Sequence, residues 1–160
     1  FVGAQNSHET VLRALTELGA HVNQAQDDGV MPLYIAAQFG HETIVRALID
    51  AGADVNKAMD VGVTSLYIAA QVGHEAVMRA LLESGAVINQ MVDDGTTPLF
   101  VATQNGHEAM VRALIESGAD VNAAENNGWT PLSVSMTPVF NVAQGGHAAI
   151  VQLLRDAGAV

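Results

Sequence analysis

The chain has 160 residues, 49% hydrophobic and 14% charged, with no cysteine and a formal net charge of −11. That acidity disfavours nucleic acid and anionic membrane surfaces as main partners, because both carry the same sign of charge. The missing cysteines exclude a disulfide framework and thiol chemistry, and no run of about 18 apolar residues marks a membrane span.

A fixed step organises everything else. Gly29, Gly62, Gly95 and Gly128 are 33 residues apart, and His8, His41, His74 and His107 keep the same interval. So do Gly19, Gly52, Gly85 and Gly118, and Asn23, Asn56, Asn89 and Asn122. In chain order, residues 1–25 form a partial first unit. Phe1 falls where Tyr34, Tyr67 and Phe100 fall, and Ser7 replaces the turn glycine, so the chain reads as a piece of a longer protein. Compartment is left open on that account, with an intracellular location favoured over a secreted one.

The second unit, 26–58, has Met31 at the capping position while Pro32 keeps the helix start. Restoring threonine there is expected to stabilise the unit through a hydroxyl cap. The third, 59–91, keeps Thr64 but has Ser65 in place of proline. The fourth, 92–124, shows the pattern most fully. Thr97-Pro98 reads as a hydroxyl cap followed by proline at the first helical position. The short apolar helix that follows should end near Gly106. A second helix is predicted from about Glu108 to Ser117. Met110, Val111, Leu114 and Ile115 recur at helical spacing, and Glu108, Arg112 and Glu116 make a polar stripe.

The fifth unit, 125–160, breaks step. His107 to His147 is 40 residues rather than 33. Thr137 to His147 aligns with Thr97 to His107 without a gap, yet a second start signal, Thr130-Pro131-Leu132, lies upstream. The extra element therefore reads as a seven-residue insertion at 130–136. Either these residues lengthen the turn into a protruding loop, or the helix begins at Pro131 and kinks near Pro138. Proline inside a helix costs about 3 kcal/mol, so the loop is the expectation.

Two short helices and a turn, repeated every 33 residues, resemble the ankyrin repeat, whose pattern is close to D-x-x-G-x-T-P-L-x-x-A-A-x-x-G-H-x-x-I-V-x-x-L-L-x-x-G-A-D-V-N. The resemblance covers nearly the whole chain. It implies an all-α repeat solenoid, an ankyrin-like array of helix-turn-helix units joined by β-hairpin-like turns. Such an array is one elongated domain in which each unit touches only its neighbours. It further implies a non-catalytic protein–protein interaction module, bound by its partner at the turn tips and the adjoining face of the first helices.

Carried onto this sequence, those positions are Asp27, Asp28, Val30, Gln38 and Phe39 in the second unit. The third supplies Asp60, Val61, Val63, Gln71 and Val72, and the fourth Asp93, Asp94, Thr96, Gln104 and Asn105. Asn126, Asn127 and Trp129 belong to the fifth, where the apolar Leu132, Val134 and Met136 of the insertion join them. The expected partner is a protein with a basic or mixed basic–apolar surface, bound by a monomer that needs no cofactor. The alternatives are a structural spacer within a larger protein, or the regulatory part of an enzyme whose catalytic domain lies elsewhere.

Several residue sets invite a chemical reading. Histidines on stacked units are separated by about 8–10 Å, whereas zinc ligands converge to about 2.0–2.1 Å from one ion. The His series is thus expected to be structural, bonding nearby backbone. Glu9/Arg13, Glu42/Arg46, Glu75/Arg79 and Glu108/Arg112 are i, i+4 pairs in the favoured orientation, each worth about 0.2–0.5 kcal/mol. They suit a solvated outer face better than a phosphate site. Asp27/Asp28 and Asp93/Asp94 sit in polar turns with no nucleophile beside them, whereas acid–base pairs need a pocket that splits their pKa values. The asparagine ending each unit is expected to bond its turn. The resemblance also implies that Asn56 and Asn122, in Gly-Ala-Asp-Val-Asn contexts, are candidates for hydroxylation.

Overall fold

The structure, a computed structural model, describes residues 22–23, 31–137 and 147–160. Most of the first unit, together with Asp27, Asp28, Val30 and Pro138, lies outside the described residues. Eight α-helices are described: α1 Pro32–Gln38, α2 Glu42–Asp50, α3 Ser65–Val72, α4 Glu75–Glu83, α5 Pro98–Gln104, α6 Glu108–Glu116, α7 Pro131–Ser135 and α8 His147–Asp156. They pair as α1/α2, α3/α4, α5/α6 and α7/α8. The first helices stack in the order α1, α3, α5, α7 and the second helices in the order α2, α4, α6, α8, making two layers. This is the all-α solenoid that the period implies. No β-strand occurs among the described residues; the turns between units are closed instead by isolated backbone hydrogen bonds.

The first helices begin where their hydroxyl caps stand. Thr64 Oγ1 accepts from Tyr67 N at 3.2 Å, and Thr97 Oγ1 accepts from Phe100 N at 3.2 Å. Met31, at the same position before α1, makes no cap hydrogen bond and is 5% exposed. Its side chain contributes burial instead, which counters the expectation that threonine would stabilise this unit.

The core is the repeat seen from inside. Leu33, Leu66 and Leu99 follow the helix starts, and Leu48, Leu81, Leu114 and Leu154 are almost wholly buried on the second helices. Each helix buries one stripe against its own pair and against the units on either side, so one apolar seam runs through the array.

The periodic polar residues tie unit to unit. His74 Nε2 lies 3.1 Å from the Gln38 carbonyl oxygen, and His107 Nε2 lies 3.0 Å from that of Gln71. The rings press on the preceding unit so closely that a Cβ at Gly40 would stand 2.7 Å from His74, and one at Gly73 would stand 2.9 Å from His107. The Gly-His dipeptide is therefore a packing joint between units as well as a turn. The terminal asparagines reach the other way. Asn56 Nδ2 donates to the Gly85 carbonyl at 3.1 Å while its Oδ1 accepts from Val87 N at 2.8 Å. Asn122 does the same to Gly158 and Val160, at 3.3 and 3.0 Å. Their side chains bond the next unit rather than their own turn.

The fifth unit corrects the expectation of a protruding loop at 130–136. Thr130 caps α7 through a complete capping box: its Oγ1 accepts from Ser133 N at 3.2 Å, and Ser133 Oγ accepts from Thr130 N at 2.8 Å. Helix α7 takes the place of a first helix, packed against α5 and α8, with Pro131, Val134 and Ser135 buried. Thr137, whose sequence reads as a second helix start, bonds the end of α7, donating to the Val134 carbonyl at 2.7 Å. From Thr97 to His107 is ten residues and from Thr130 to His147 seventeen, so the seven extra residues fall after α7 rather than before it.

Candidate functional site

Where the units meet at the turns, three tips stand side by side. Met59 N donates to the Val63 carbonyl at 2.9 Å, Val92 N to Thr96 at 3.1 Å, and Glu125 N to Trp129 at 2.9 Å, closing each tip on itself. Neighbouring tips are then joined. Asp93 N donates to the Val61 carbonyl at 3.0 Å, and Asn126 N donates to that of Asp94 at 2.9 Å. Asn126 Nδ2 adds a bond to the Asp93 carbonyl at 2.9 Å, so this side chain, although exposed, is spent on the tip row.

The three tips differ in the side chains that hold them. Asp94 Oδ1 accepts from Thr96 N at 2.8 Å and from Thr96 Oγ1 at 2.6 Å, an Asx-type turn that holds the carboxylate. In the fifth unit Glu125 accepts from Trp129 N at 3.1 Å and from Asn127 Nδ2 at 3.0 Å. Hydrogen bonding, that of the Asn127 backbone first, holds the Glu125 carboxyl below its usual range. At the position of Asp94 the fifth unit has Asn127, and the third has Val61, with no oxygen to offer. It adopts φ 62°, the sole non-glycine residue at positive φ among the described residues, with its side chain 61% exposed.

Two grooves lie between the tips. One, of about 400 Å³, is lined by Val61, Val63, Tyr67, Gln71, Val92, Asp93 and Asp94. The other, of about 280 Å³, is lined by Asp94, Thr96, Phe100, Gln104, Glu125, Asn127, Trp129 and Val134. Of the expected residues of units three to five, Val61, Val63, Gln71, Asp93, Asp94, Thr96, Gln104, Asn127, Trp129 and Val134 line these grooves, whereas Asp60, Val72, Asn105 and Asn126 do not. The structure also places Phe39, Val72, Trp129 and Met136 with large exposed apolar surface. Gln38 is half-buried and Asn105 exposed, the latter donating to the Gln71 and Val101 carbonyls.

Three expected residues face inward. Val134 is 2% exposed and Thr96 8%, and Leu132 packs against the core, so none of the three offers much surface to a partner. Register alone puts Thr96 at a tip, and Leu132 and Val134 count as exposed only if 130–136 is a loop; as part of α7 they turn toward the array instead. Tyr67, Val92, Phe100 and Glu125 also line the grooves, at positions the tip register does not mark. The recurrence of an aromatic at Tyr34, Tyr67 and Phe100, one helical turn past the cap, was the available signal.

The opposite side is electrostatically closed. Arg46 bonds Glu42 at 2.9 Å and reaches across to Glu83 at 3.0 Å, Arg79 bonds Glu75 at 2.7 Å, and Arg112 bonds Glu108 at 2.9 Å. These bonds raise the Arg46 and Arg79 pKa values above the ordinary one. Among the described residues no three His, Asp or Glu side chains gather as a metal site, and no helix is long and apolar enough to cross a membrane.

A family model describing ankyrin repeats in three copies matches residues 1–92 and again residues 88–159. The chain belongs to the ankyrin-repeat family. Members of that family are generally protein-interaction modules and typically non-catalytic. A comparison with curated proteins gave no match. Within this ankyrin array the regular residues hold the stack, which leaves the tips and grooves as the surface free to vary.

Proposed function

We propose that this chain is a non-catalytic protein–protein interaction module that binds its partner on the concave face formed by turn tips and first helices. The partner carries a basic or mixed basic–apolar surface. One observation supports this above the others, the segregation of charge. Arg46, Arg79 and Arg112 on the outer layer are each held by a glutamate, whereas among the described residues no cation stands within ion-pair distance of Asp60, Asp93 or Asp94. Uncompensated carboxylates beside exposed Val61 and Trp129 favour a ligand that brings its own positive charge and apolar side chains.

The test is a binder selected from a displayed protein library against the 160-residue chain. Neutralising Asp60, Asp93 and Asp94 together to asparagine should weaken such binders by about tenfold or more and flatten their salt dependence. Arg79→Ala on the outer face should leave affinity within about twofold. The opposite pattern overturns the assignment.

A further inference from the structure

Asp94, an exposed carboxylate residue, lines both grooves. How that carboxylate is held can be read proton by proton. The Thr96 hydroxyl donates its only hydrogen to Asp94 Oδ1 at 2.6 Å. The Tyr67 hydroxyl, 2.9 Å from Thr96 Oγ1, must therefore be the donor of that bond. Burial pushes the Tyr67 phenol pKa upward, which keeps this proton in place. A relay runs from Tyr67 in unit three, through Thr96 in unit four, to Oδ1, while no protein group donates to Oδ2 among the described residues. Asp94 is thus an oriented carboxylate with one oxygen left for a ligand, and a hydrophobic trough lies on each side of it.

We propose that the grooves form one docking site for an extended peptide segment, with an arginine or lysine seated on Asp94 Oδ2 and an apolar side chain in each flanking groove. The site rests on the reading of the tip face as partner-binding, and deepens it by naming the ligand's form and charge. Charge complementarity carries the central contact, since no cation of the described chain reaches this carboxylate. Spacing carries the flanks. Grooves between successive units are separated by the helix-packing distance of about 8–10 Å, and three residues of polyproline-II backbone rise about 9 Å and return to the same face. The expected segment therefore has apolar residues three positions apart on one face, with a basic residue between them whose long side chain reaches back from the flank to Asp94. Tyr67 and Thr96 act as positioning residues that orient Oδ1.

Peptides displayed on phage and selected against the 160-residue chain supply the probe, the enriched peptide being synthesised with arginine and with its neutral isostere citrulline. Enriched sequences should show the apolar–basic–apolar pattern. The arginine form should bind about tenfold or more tighter than the citrulline form. That preference should vanish in Asp94→Asn and fall to about threefold in Tyr67→Phe, whose melting temperature reports separately on folding. A merely structural tyrosine would weaken both peptides equally. Enriched peptides that are lost on Val61→Asp or Trp129→Ala but show no citrulline effect and no response to Asp94→Asn overturn the docking geometry, while leaving the tip face as the binding surface. Peptides indifferent to every tip substitution but lost on Arg79→Ala overturn both readings. Failure to enrich any peptide overturns the extended-segment ligand.

Discussion

Val61 is a substitution site where stability and binding should move in opposite directions. It sits at φ 62°, ψ 15°, followed by Gly62 at φ 81°. Left-handed backbone costs an L-residue about 1–2 kcal/mol, and a β-branched side chain tolerates it least. Two successive positive φ values are the geometry that favours Asn-Gly. Val61→Asn should recover most of that cost. Against it stands the lost burial of a side chain that is already 61% exposed. Full burial of a valine is worth about 1.5–3 kcal/mol, so roughly 0.5–1 kcal/mol is forfeited. The net expectation is a gain of about 0.5–1 kcal/mol. With a urea m-value of about 2 kcal/mol/M, the unfolding midpoint should rise by roughly 0.3–0.5 M. Val61→Thr keeps the β-branch and serves as the control, with little or no rise. The same asparagine variant should bind a selected tip-face ligand several-fold more weakly, because the exposed isopropyl group is gone. A midpoint for Val61→Asn no higher than that for Val61→Thr would refute the strain argument.

Four further expectations follow from particular contacts. Thr103 is fully buried with no hydrogen-bond partner for its hydroxyl among the described residues, where the neighbouring units have Ala37 and Ala70; Thr103→Ala should raise stability by about 1 kcal/mol in urea unfolding. Met31→Thr should lower it by about 1 kcal/mol, because a cap of about 0.5–2 kcal/mol replaces a buried methionine side chain. The depressed Glu125 pKa contributes stability that is fully present above the unfolded value near 4.5 and is lost as pH falls through the folded value. Glu125→Gln should accordingly flatten the decline of the unfolding midpoint below about pH 4.5, with little change in that slope above pH 6. Deleting residues 138–144 restores the spacing from Thr130 to His147 to that from Thr97 to His107 and should cost less than about 1 kcal/mol. Deleting 130–136 removes the buried Pro131 and Val134 and should cost several times more; equal melting curves for the two deletions would show that α7 is not a structural helix.

What the sequence determined by itself was everything local to one unit. The hydroxyl caps at Thr64 and Thr97, the helix stops, the buried leucines and the Glu-to-Arg pairs all depend on residues within a few positions of one another. Spacing alone specifies them. The 33-residue recurrence then implied stacking, and with it an apolar seam through the array. Tertiary structure decided whatever crosses from one unit to the next. Asn56 and Asn122 could bond their own turns equally well until the next unit's Gly85 or Gly158 carbonyl was set beside them. Sequence alignment puts the seven extra residues at 130–136, one helix start too early, because Thr130-Pro131 and Thr137-Pro138 are equivalent local start signals. Packing of Val134 against its neighbours and the Thr130–Ser133 capping box select the first. The same holds for the site. Tip register was legible, but the burial of Thr96 and the donor direction from Tyr67 to Asp94 depend on how unit three sits on unit four. That fit is a matter of side-chain packing between repeats, on which a repeating sequence pattern places no constraint.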